Sequence, residues 1–288
     1  MLRSFVTWLD DYLADTGAAG VLQGALGILG FGALLGAVLG NDSIKAATIV
    51  AVSLVALGMF LLLAASRRYW RRRCAAVEDL FRCACLEVLS AGPYWRVVTW
   101  RQRMTVEGNG DTRSFIAIRV ASDRDGLPFF RLKLGPGWNQ PKRYRDKVIA
   151  KARVTEAAGH REVHAVERTW WREDGVLEVW AHFRRPLAFG DEVAVFVDVQ
   201  WPGRCRPLTV DRLPDDFCVT VGPPMAELEY VVELPAGKTA YFDPIGFADD
   251  DERVALAVRP GADGRTEVRL TGRDLAEGQR VGMRLELK

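Results

Sequence analysis

The sequence predicts a membrane hairpin of two α-helices followed by an all-β domain. Two apolar runs near the N-terminus, residues 18–40 and 46–66, contain no charged residue. A transmembrane helix needs about 20 such residues, so each run is long enough to cross a bilayer. From residue 93 onward the hydrophobic pattern changes to alternation, which is typical of β-strands. We therefore expect a transmembrane α-hairpin, a short juxtamembrane helix, and an antiparallel β-sandwich or barrel of about a dozen strands.

Residues 1–17 predict a short amphipathic helix. Leu2, Phe5 and Leu9 share one face of this segment, and Asp10 and Asp11 lie on the opposite face. Helices that adsorb to anionic lipid carry basic residues on the polar face, so an acidic face fits that role poorly. Three positions for this helix remain open: the membrane interface, packing against the second apolar run, and packing against a neighbouring copy.

Glycine recurs along one stripe of the first apolar run, residues 18–40. The stripe consists of Gly20, Gly24, Gly32, Gly36 and Gly40. Inside lipid, small residues let two helices approach closely, and this packing supplies much of the association between them. The glycine stripe predicts either contacts between copies in a homo-oligomer or only the seat of the second helix of the hairpin.

A block of arginines follows the second apolar run and predicts the topology. These residues are Arg67, Arg68, Arg71, Arg72 and Arg73. Lys and Arg that flank a membrane span are retained in the cytoplasm. Both termini are therefore expected in the cytoplasm, in a two-pass protein of the bacterial inner membrane whose first partner is the lipid bilayer. Residues 67–92 continue as a basic stalk helix that ends at Gly92-Pro93.

Within the stalk helix, apolar residues recur in steps of four and three. They are Trp70, Cys74, Val77, Phe81, Ala84 and Val88. This spacing is that of a coiled-coil seam, but it lasts only two to three heptads. A coiled coil between copies and packing on the attached domain both remain open.

Residues 93–288 predict one cytoplasmic β domain. Alternating apolar residues mark strands at residues 116–120, 177–183, 193–201, 228–234 and 281–287. Glycine-containing turn signals separate such runs at residues 107–111, 173–175, 190–191 and 262–264. A division into two β lobes near residues 203–216 stays open.

The chain offers little catalytic chemistry, and no catalytic residue, metal site or cofactor is predicted. No nucleophile elbow, phosphate-binding loop, dinucleotide fingerprint or paired Cys-x2-Cys motif occurs. His160 and His164 would lie about 13 Å apart on a strand, too far to share a metal ion. Five scattered cysteines on the expected cytoplasmic side predict free thiols. The net charge of only +2 gives no reason to expect a nucleic-acid polymer as partner.

One segment, residues 133–147, combines a glycine-rich turn with aromatic and basic residues, and we call it the recognition loop. Its candidate ligand-binding residues are Trp138, Lys142, Arg143, Tyr144 and Arg145. Aromatic rings can stack on a base while Arg and Lys neutralise phosphate, and the same residues suit anionic lipid headgroups. An ordinary charged surface loop is the third interpretation. Residues 170–172, Trp-Trp-Arg, are a weaker candidate of the same kind.

The order of hairpin, arginine block, helix and β domain resembles the two-transmembrane, β-strand-rich effectors of bacterial cyclic-oligonucleotide antiphage signalling. The resemblance rests on the runs at residues 18–40 and 46–66 and on the strands that follow, without a shared motif. It implies a non-enzymatic effector whose β domain binds a signal such as a cyclic nucleotide, while the hairpins oligomerise and perturb the inner membrane. The alternative is a constitutive membrane-anchored scaffold whose β domain docks a partner protein.

Overall fold

In the computed structural model, the described residues are 42–90, 95–156, 165–248 and 250–288. The chain divides into two compact units, residues 1–91 and 92–288, and each is described by itself. The predicted amphipathic helix at residues 1–17, the first apolar run with its glycine stripe, and both His160 and His164 lie outside the described residues.

The first unit contains helix α1, Asp42–Ser90, which is 49 residues long. Its sequence is rich in Ala, Leu and Arg, all strong helix formers, and lacks proline. The helix includes the second apolar run and the arginine block without a break. Trp70, Val77 and Phe81 of the predicted seam are exposed along it.

The predicted membrane hairpin requires a correction. None of the helices in the described part of the chain combines the length with the apolarity that a membrane crossing requires. The prediction treated residues 46–66 as a separate span that ends at the arginines. In the structure those residues belong to one helix that continues through Arg67–Arg73 to Ser90. The two transmembrane helices, the two-pass topology and the inner-membrane location are therefore wrong, and the topological role of the arginines loses its basis.

The second unit is β-rich, as predicted. Its strands are β1 (Trp95–Val106), β2 (Thr112–Ser122), β3 (Leu127–Leu134), β4 (Ile149–Glu156), β5 (Ala165–Trp171), β6 (Leu177–Leu187), β7 (Glu192–Trp201), β8 (Asp215–Thr220), β9 (Met225–Glu233), β10 (Ala240–Ile245), β11 (Val254–Pro260), β12 (Thr266–Leu275) and β13 (Arg280–Leu287). Two single-turn helices, α2 (Lys142–Arg145) and α3 (Arg206–Thr209), and a 3-10 turn (Ala262–Gly264) lie between strands.

The strands form one large sheet and two small sheets. The large sheet has seven strands in the order β11-β12-β9-β1-β2-β7-β4, and the small sheets have the orders β10-β13-β8 and β3-β6-β5. Every described pair of neighbouring strands is antiparallel except β1 and β9, which run parallel. Because β9 follows residues 203–216 and pairs with β1, strands from both sides of that segment share one sheet.

A register shift in β1 places buried side chains before and after it on the same inner face of the large sheet. The pairing of β1 with β2 shifts between Val97 and Thr99. Val97 and Met104 are both buried although they lie seven positions apart, an odd offset that strict alternation would place on opposite faces. The buried core continues along the same face through Ile116, Ile118 and the valines of β7. This face forms one wall of the cavity described below.

Candidate ligand-binding cavity

A cavity of about 920 Å³ separates the large sheet from the two small sheets. The large sheet contributes residues of β1, β2, β7 and β9, and the opposite wall comes from β3, β8 and β13. Aromatic side chains are prominent in the lining: Trp95, Trp100, Phe130, Trp138 and Trp201. Ligand sites in proteins occupy about 300–1,000 Å³ and combine an apolar lining with a few placed polar groups, so both the size and the lining fit.

A chain of polar side chains crosses the wall that the large sheet provides. Trp100 Nε1 donates to Gln102 Oε1 at 3.2 Å, and Gln102 Nε2 donates to Ser114 Oγ at 3.4 Å. Gln102 and Ser114 are buried on neighbouring strands β1 and β2. The amide and hydroxyl therefore hold each other in place and give this apolar wall a fixed polar strip.

The first part of the recognition loop closes one end of the cavity. Trp138 Nε1 donates to the Arg204 carbonyl oxygen at 2.8 Å. Gln140 is buried, accepts from Trp201 Nε1 at 2.7 Å and donates to the Pro202 carbonyl oxygen at 2.8 Å. These bonds tie residues 138–140 to the segment that follows β7, so Trp138 is held against the cavity with its ring nitrogen already bonded.

The other predicted ligand residues lie on α2, outside the cavity lining. Lys142 pairs with Asp146 at 2.7 Å, and the Tyr144 hydroxyl accepts from Arg206 at 3.1 Å. The Arg143 guanidinium lies 5.2 Å from the centroid of the Tyr144 ring. Arg145 lies 5.9 Å from the centroid of the Trp171 ring. Of the five residues that the sequence singled out, the structure places only Trp138 at the cavity.

Basic side chains outnumber acidic ones in the cavity lining. The six basic residues are Arg131, Lys133, Arg172, Arg204, Arg280 and Arg284, and the two acidic residues are Asp215 and Asp216. Asp216 pairs with Arg284 at 2.8 Å and with Arg280 at 3.4 Å.

At the β3-β6-β5 sheet, Arg131 and Arg172 share Glu178, a buried carboxylate that does not line the cavity. Their nitrogens lie 3.8 and 3.9 Å from its Oε1. Lys133 lies near both arginines and forms no ion pair with a described residue. Loss of hydration, and then repulsion from Arg131 and Arg172, lowers the pKa of the Lys133 ammonium. The nearby acids Glu178 and Asp174 oppose this shift.

Arg204 is the most deeply buried of these cations, with 7% of its surface exposed. It follows β7 directly, next to Pro202 and Gly203, and its guanidinium lies 5.1 Å from the centroid of the Phe217 ring. Its Nη1 donates to Cys205 Sγ at 3.2 Å. Among the described residues, no carboxylate forms an ion pair with it. A buried guanidinium at the edge of a cavity, without such a partner, is suited to receive an anionic group.

The two cavity acids, adjacent in sequence, titrate in opposite directions. Burial raises the pKa of the Asp215 carboxyl to about 6, against the opposing effect of Arg204. The hydrogen bond from Arg284 holds the pKa of Asp216 below its ordinary value. Asp215 Oδ2 is buried and has no hydrogen-bond partner within the described ranges of the chain, which adds to the cost of its ionised form.

Most of the cationic lining was not predicted from the sequence, because those residues are scattered along the chain. Arg172 appeared only within the weaker Trp-Trp-Arg candidate, and Arg280 and Arg284 were assigned to nothing. Arg204 lies in the segment that was considered only as a division between lobes. One signal was present: the sequence Pro202–Pro207 places two arginines and a cysteine directly after the apolar strand β7.

The described residues contain no group of three or more His, Cys, Asp or Glu side chains that could hold a metal ion. Cys205 is buried, and burial raises the pKa of its thiol to about 12. Its thiol is therefore protonated at neutral pH and serves as a hydrogen-bonding neighbour of Arg204.

Comparisons with known proteins give only distant likenesses. No protein-family model matches the chain, and no curated protein matches it in sequence. A protein from Parabacteroides distasonis described as a protease shares 11% identity over 67% of this chain and 40% of its own, with a TM-score of 0.45. A variant of an M1 zinc metallopeptidase from Deinococcus radiodurans shares 12% identity over 67% of this chain and 42% of its own, with a TM-score of 0.42.

A protein from Legionella pneumophila described as nutrient-binding shares 11% identity over 67% of each chain, with a TM-score of 0.37. The chain spans about two fifths of the length of the first two structures. Likenesses this distant carry no argument about function, so no family is assigned to the chain.

Proposed function

We propose that the β domain is a binding module for a small organic anion with an aromatic or apolar part, of which a nucleotide is one example. The observation that carries the proposal is the buried Arg204, without an ion-pair partner among the described residues, in the lining of the cavity. An anion there would gain a charge-assisted hydrogen bond in a site of low dielectric.

The rest of the lining supports the same ligand chemistry. Trp95 and Phe130 pack edge to face with ring centroids 5.8 Å apart and offer an apolar wall to a flat ligand. The polar strip of Gln102 and Ser114 offers hydrogen-bonding groups on the wall that the large sheet provides. Six basic against two acidic residues favour negative charge on the ligand. Binding of this kind would let the domain respond to a signal without chemical conversion.

The test uses the full chain and 8-anilinonaphthalene-1-sulfonate, a fluorescent probe that combines an anionic group with aromatic rings. We expect saturable binding that nucleoside monophosphates displace. Arg204→Met should weaken binding at least tenfold, and Lys133→Gln should weaken it several-fold while leaving the fold intact. Arg259→Gln, an exposed basic residue of β11 outside the cavity lining, is the matched control and should change nothing.

Circular dichroism and urea titration establish that each variant is folded before its affinity is compared. Because Arg204 is buried, its replacement alone is not decisive, and Lys133→Gln provides the second measurement on a side chain that tolerates change. If folded Lys133→Gln and Arg204→Met bind the probe as tightly as the unmodified chain, the cavity is not an anion site. Native mass spectrometry of the purified chain then identifies any ligand that it retains.

A further inference from the structure

The outer face of the large sheet, opposite the cavity, carries a pair of stacked phenylalanines. Phe115 on β2 is 46% exposed, although it lies in the middle of a strand. Its ring centroid lies 6.1 Å from that of Phe196 on β7, and the two ring planes are 24° apart. Large apolar side chains on the solvent side of a sheet are uncommon unless another molecule covers them.

The register of the sheet surrounds this pair with small and basic side chains. Across the strands, Ala117 lies opposite Phe196, and Arg153 of β4 lies on the other side of Phe196. In the next row, Phe115 lies opposite Asp198, which in turn lies opposite Lys151. Ala117 is too small to cover the rings, and the longer neighbouring side chains, Lys151, Arg153 and Asp198, are charged.

Four basic residues on this face have no ion-pair partner among the described residues. They are Arg101, Arg113, Lys151 and Arg153, and all are exposed. We call these four residues, together with Phe115 and Phe196, the aromatic-basic face. Elsewhere on the same side of the sheet the charges are neutralised: Arg103 pairs with Glu233 and with Glu267, and Arg119 pairs with Glu192. Two acids border the aromatic-basic face: Asp198 lies opposite Phe115, and Glu229 lies opposite Arg101.

We propose that the aromatic-basic face binds single-stranded nucleic acid. Unpaired bases would stack on the exposed faces of Phe115 and Phe196, and the four basic residues would contact the phosphates. A duplex is a poorer fit because its bases are stacked on one another and unavailable to the rings. An acidic peptide would use the charges but has no need of paired aromatic rings, which are the more specific part of the face.

The near-zero net charge of the chain does not oppose this site. On the neighbouring strands β9 and β12, Glu229, Glu233 and Glu267 contribute negative charge to the total but form ion pairs with Arg103 and Arg269. Binding depends on the local charge within about 10 Å at moderate salt, because charges farther away are largely screened. A net charge near zero is therefore compatible with a locally basic face. This site is separate from the cavity and does not depend on the function proposed for it.

The test measures fluorescence anisotropy of labelled 12-nucleotide oligouridylate and oligothymidylate with the full chain at 50 and 200 mM salt. We expect binding that weakens with salt, and the comparison of the two oligomers shows whether RNA or DNA is preferred. Phe115→Ala combined with Phe196→Ala should weaken binding at least tenfold. Phe115→Tyr, which keeps the stacking surface, should retain affinity and shows that a loss with Ala is not a loss of folding.

The basic residues are tested by the salt dependence itself. Replacing Arg113 and Lys151 by Gln should lower the slope of log affinity against log salt by about 1.4, because each phosphate contact of a single strand contributes about 0.7. Arg259→Gln combined with Arg273→Gln, on exposed residues of β11 and β12, is the matched control and should leave the slope unchanged.

Three outcomes would overturn the proposal. The first is no binding of either oligomer at 50 mM salt by the folded chain. The second is binding that the Phe115→Ala, Phe196→Ala double variant leaves unchanged. The third is equal competition by inorganic polyphosphate, which has no bases, and this result would indicate a face for acidic partners instead.

Discussion

Replacing Asp215 by Asn should stabilise the protein at neutral pH, although it removes a carboxylate that faces a buried arginine. Burial raises the pKa of Asp215 from its ordinary value of 3.8 to about 6, so the folded state prefers the protonated, neutral side chain. At about 1.4 kcal/mol for each tenfold change in proton affinity, that difference corresponds to about 3 kcal/mol. Asn resembles the neutral form in shape and avoids this cost, while the unfolded chain is barely affected.

The sign of the pH dependence follows from the same shift. Because the folded state binds this proton more tightly than the unfolded chain, the stability of the unmodified chain is highest below about pH 4 and falls as pH rises through about 6. The advantage of Asp215→Asn should therefore be close to zero at about pH 4 and reach its full size, at most about 3 kcal/mol, above about pH 7. Its amide must find partners in the same pocket, which reduces the gain.

Asp216→Asn is the matched comparison, since this neighbouring carboxylate should respond in the opposite direction. The Arg284 hydrogen bond holds its pKa below the ordinary value, so ionised Asp216 stabilises the fold at neutral pH and loses that effect on acidification. The pair is partly exposed, and the loss in Asp216→Asn should stay below about 1 kcal/mol. Urea unfolding followed by tryptophan fluorescence at pH 4, 5.5 and 7.5 measures both variants. A destabilised Asp215→Asn at pH 7.5, or a gain that does not change with pH, would refute this reasoning.

The remaining predictions concern the cavity, a turn and the thiols. Binding of the sulfonate probe should tighten as pH falls from about 7 to 5, because protonation of Asp215 removes a negative charge beside the anion; titrations at each pH measure it. Gly246→Ala should cost more than about 2 kcal/mol in urea unfolding, because φ is +81° and a Cβ would overlap the Arg280 carbonyl. In the native chain a disulfide reagent should label exposed Cys74 and Cys83 and spare buried Cys205, as peptide mass mapping would show.

The strands were predictable where the evidence for them is local. Alternation at residues 193–201 identifies β7 because successive side chains of any strand point to opposite faces, whatever the strand pairs with. β1 was not identified, since the register shift after Val97 breaks the alternation of its buried residues. The parallel pairing of β1 with β9 was also missed. Strand partners are chosen by contacts between distant segments, and the periodicity of one segment does not contain them.

The helical part was predicted less well, because run length alone was taken as decisive. An uncharged stretch at residues 46–66 satisfies the length criterion, yet the structure places it in the same helix as the arginine block, and no helix among the described residues meets the requirements for a membrane crossing. The basic residues were used as markers of a boundary. Helix propensity offers no boundary there, since Arg is among the best helix formers after Ala.

The candidate site shows the complementary limit. Trp138 was found from sequence because an aromatic residue in a glycine-rich basic loop is recognisable without a fold. Arg204 was not, because an arginine between Gly203 and Cys205 looks like an ordinary turn residue until the recognition loop covers it through the Trp138 hydrogen bond. Burial, not residue type, gives Arg204 its proposed role, and burial is a property of several segments together.

A chain with a net charge of +2 can have two proposed anion-binding surfaces because its charges are distributed unevenly over the fold. In the cavity, Arg204 forms no ion pair with a described residue, although it interacts electrostatically with the neighbouring Asp215. On the aromatic-basic face, sheet register places Arg153 opposite Phe196 and not opposite an acid. Other acids balance the total within ion pairs of their own, for example Glu192, which pairs with Arg119. The two surfaces lie on opposite faces of one sheet and differ in their exposure to solvent. Added salt screens the charges of the exposed aromatic-basic face, whereas the charge of the buried Arg204 is removed only by substitution. Raising the salt concentration should therefore abolish oligonucleotide binding well before it displaces an anion held at Arg204.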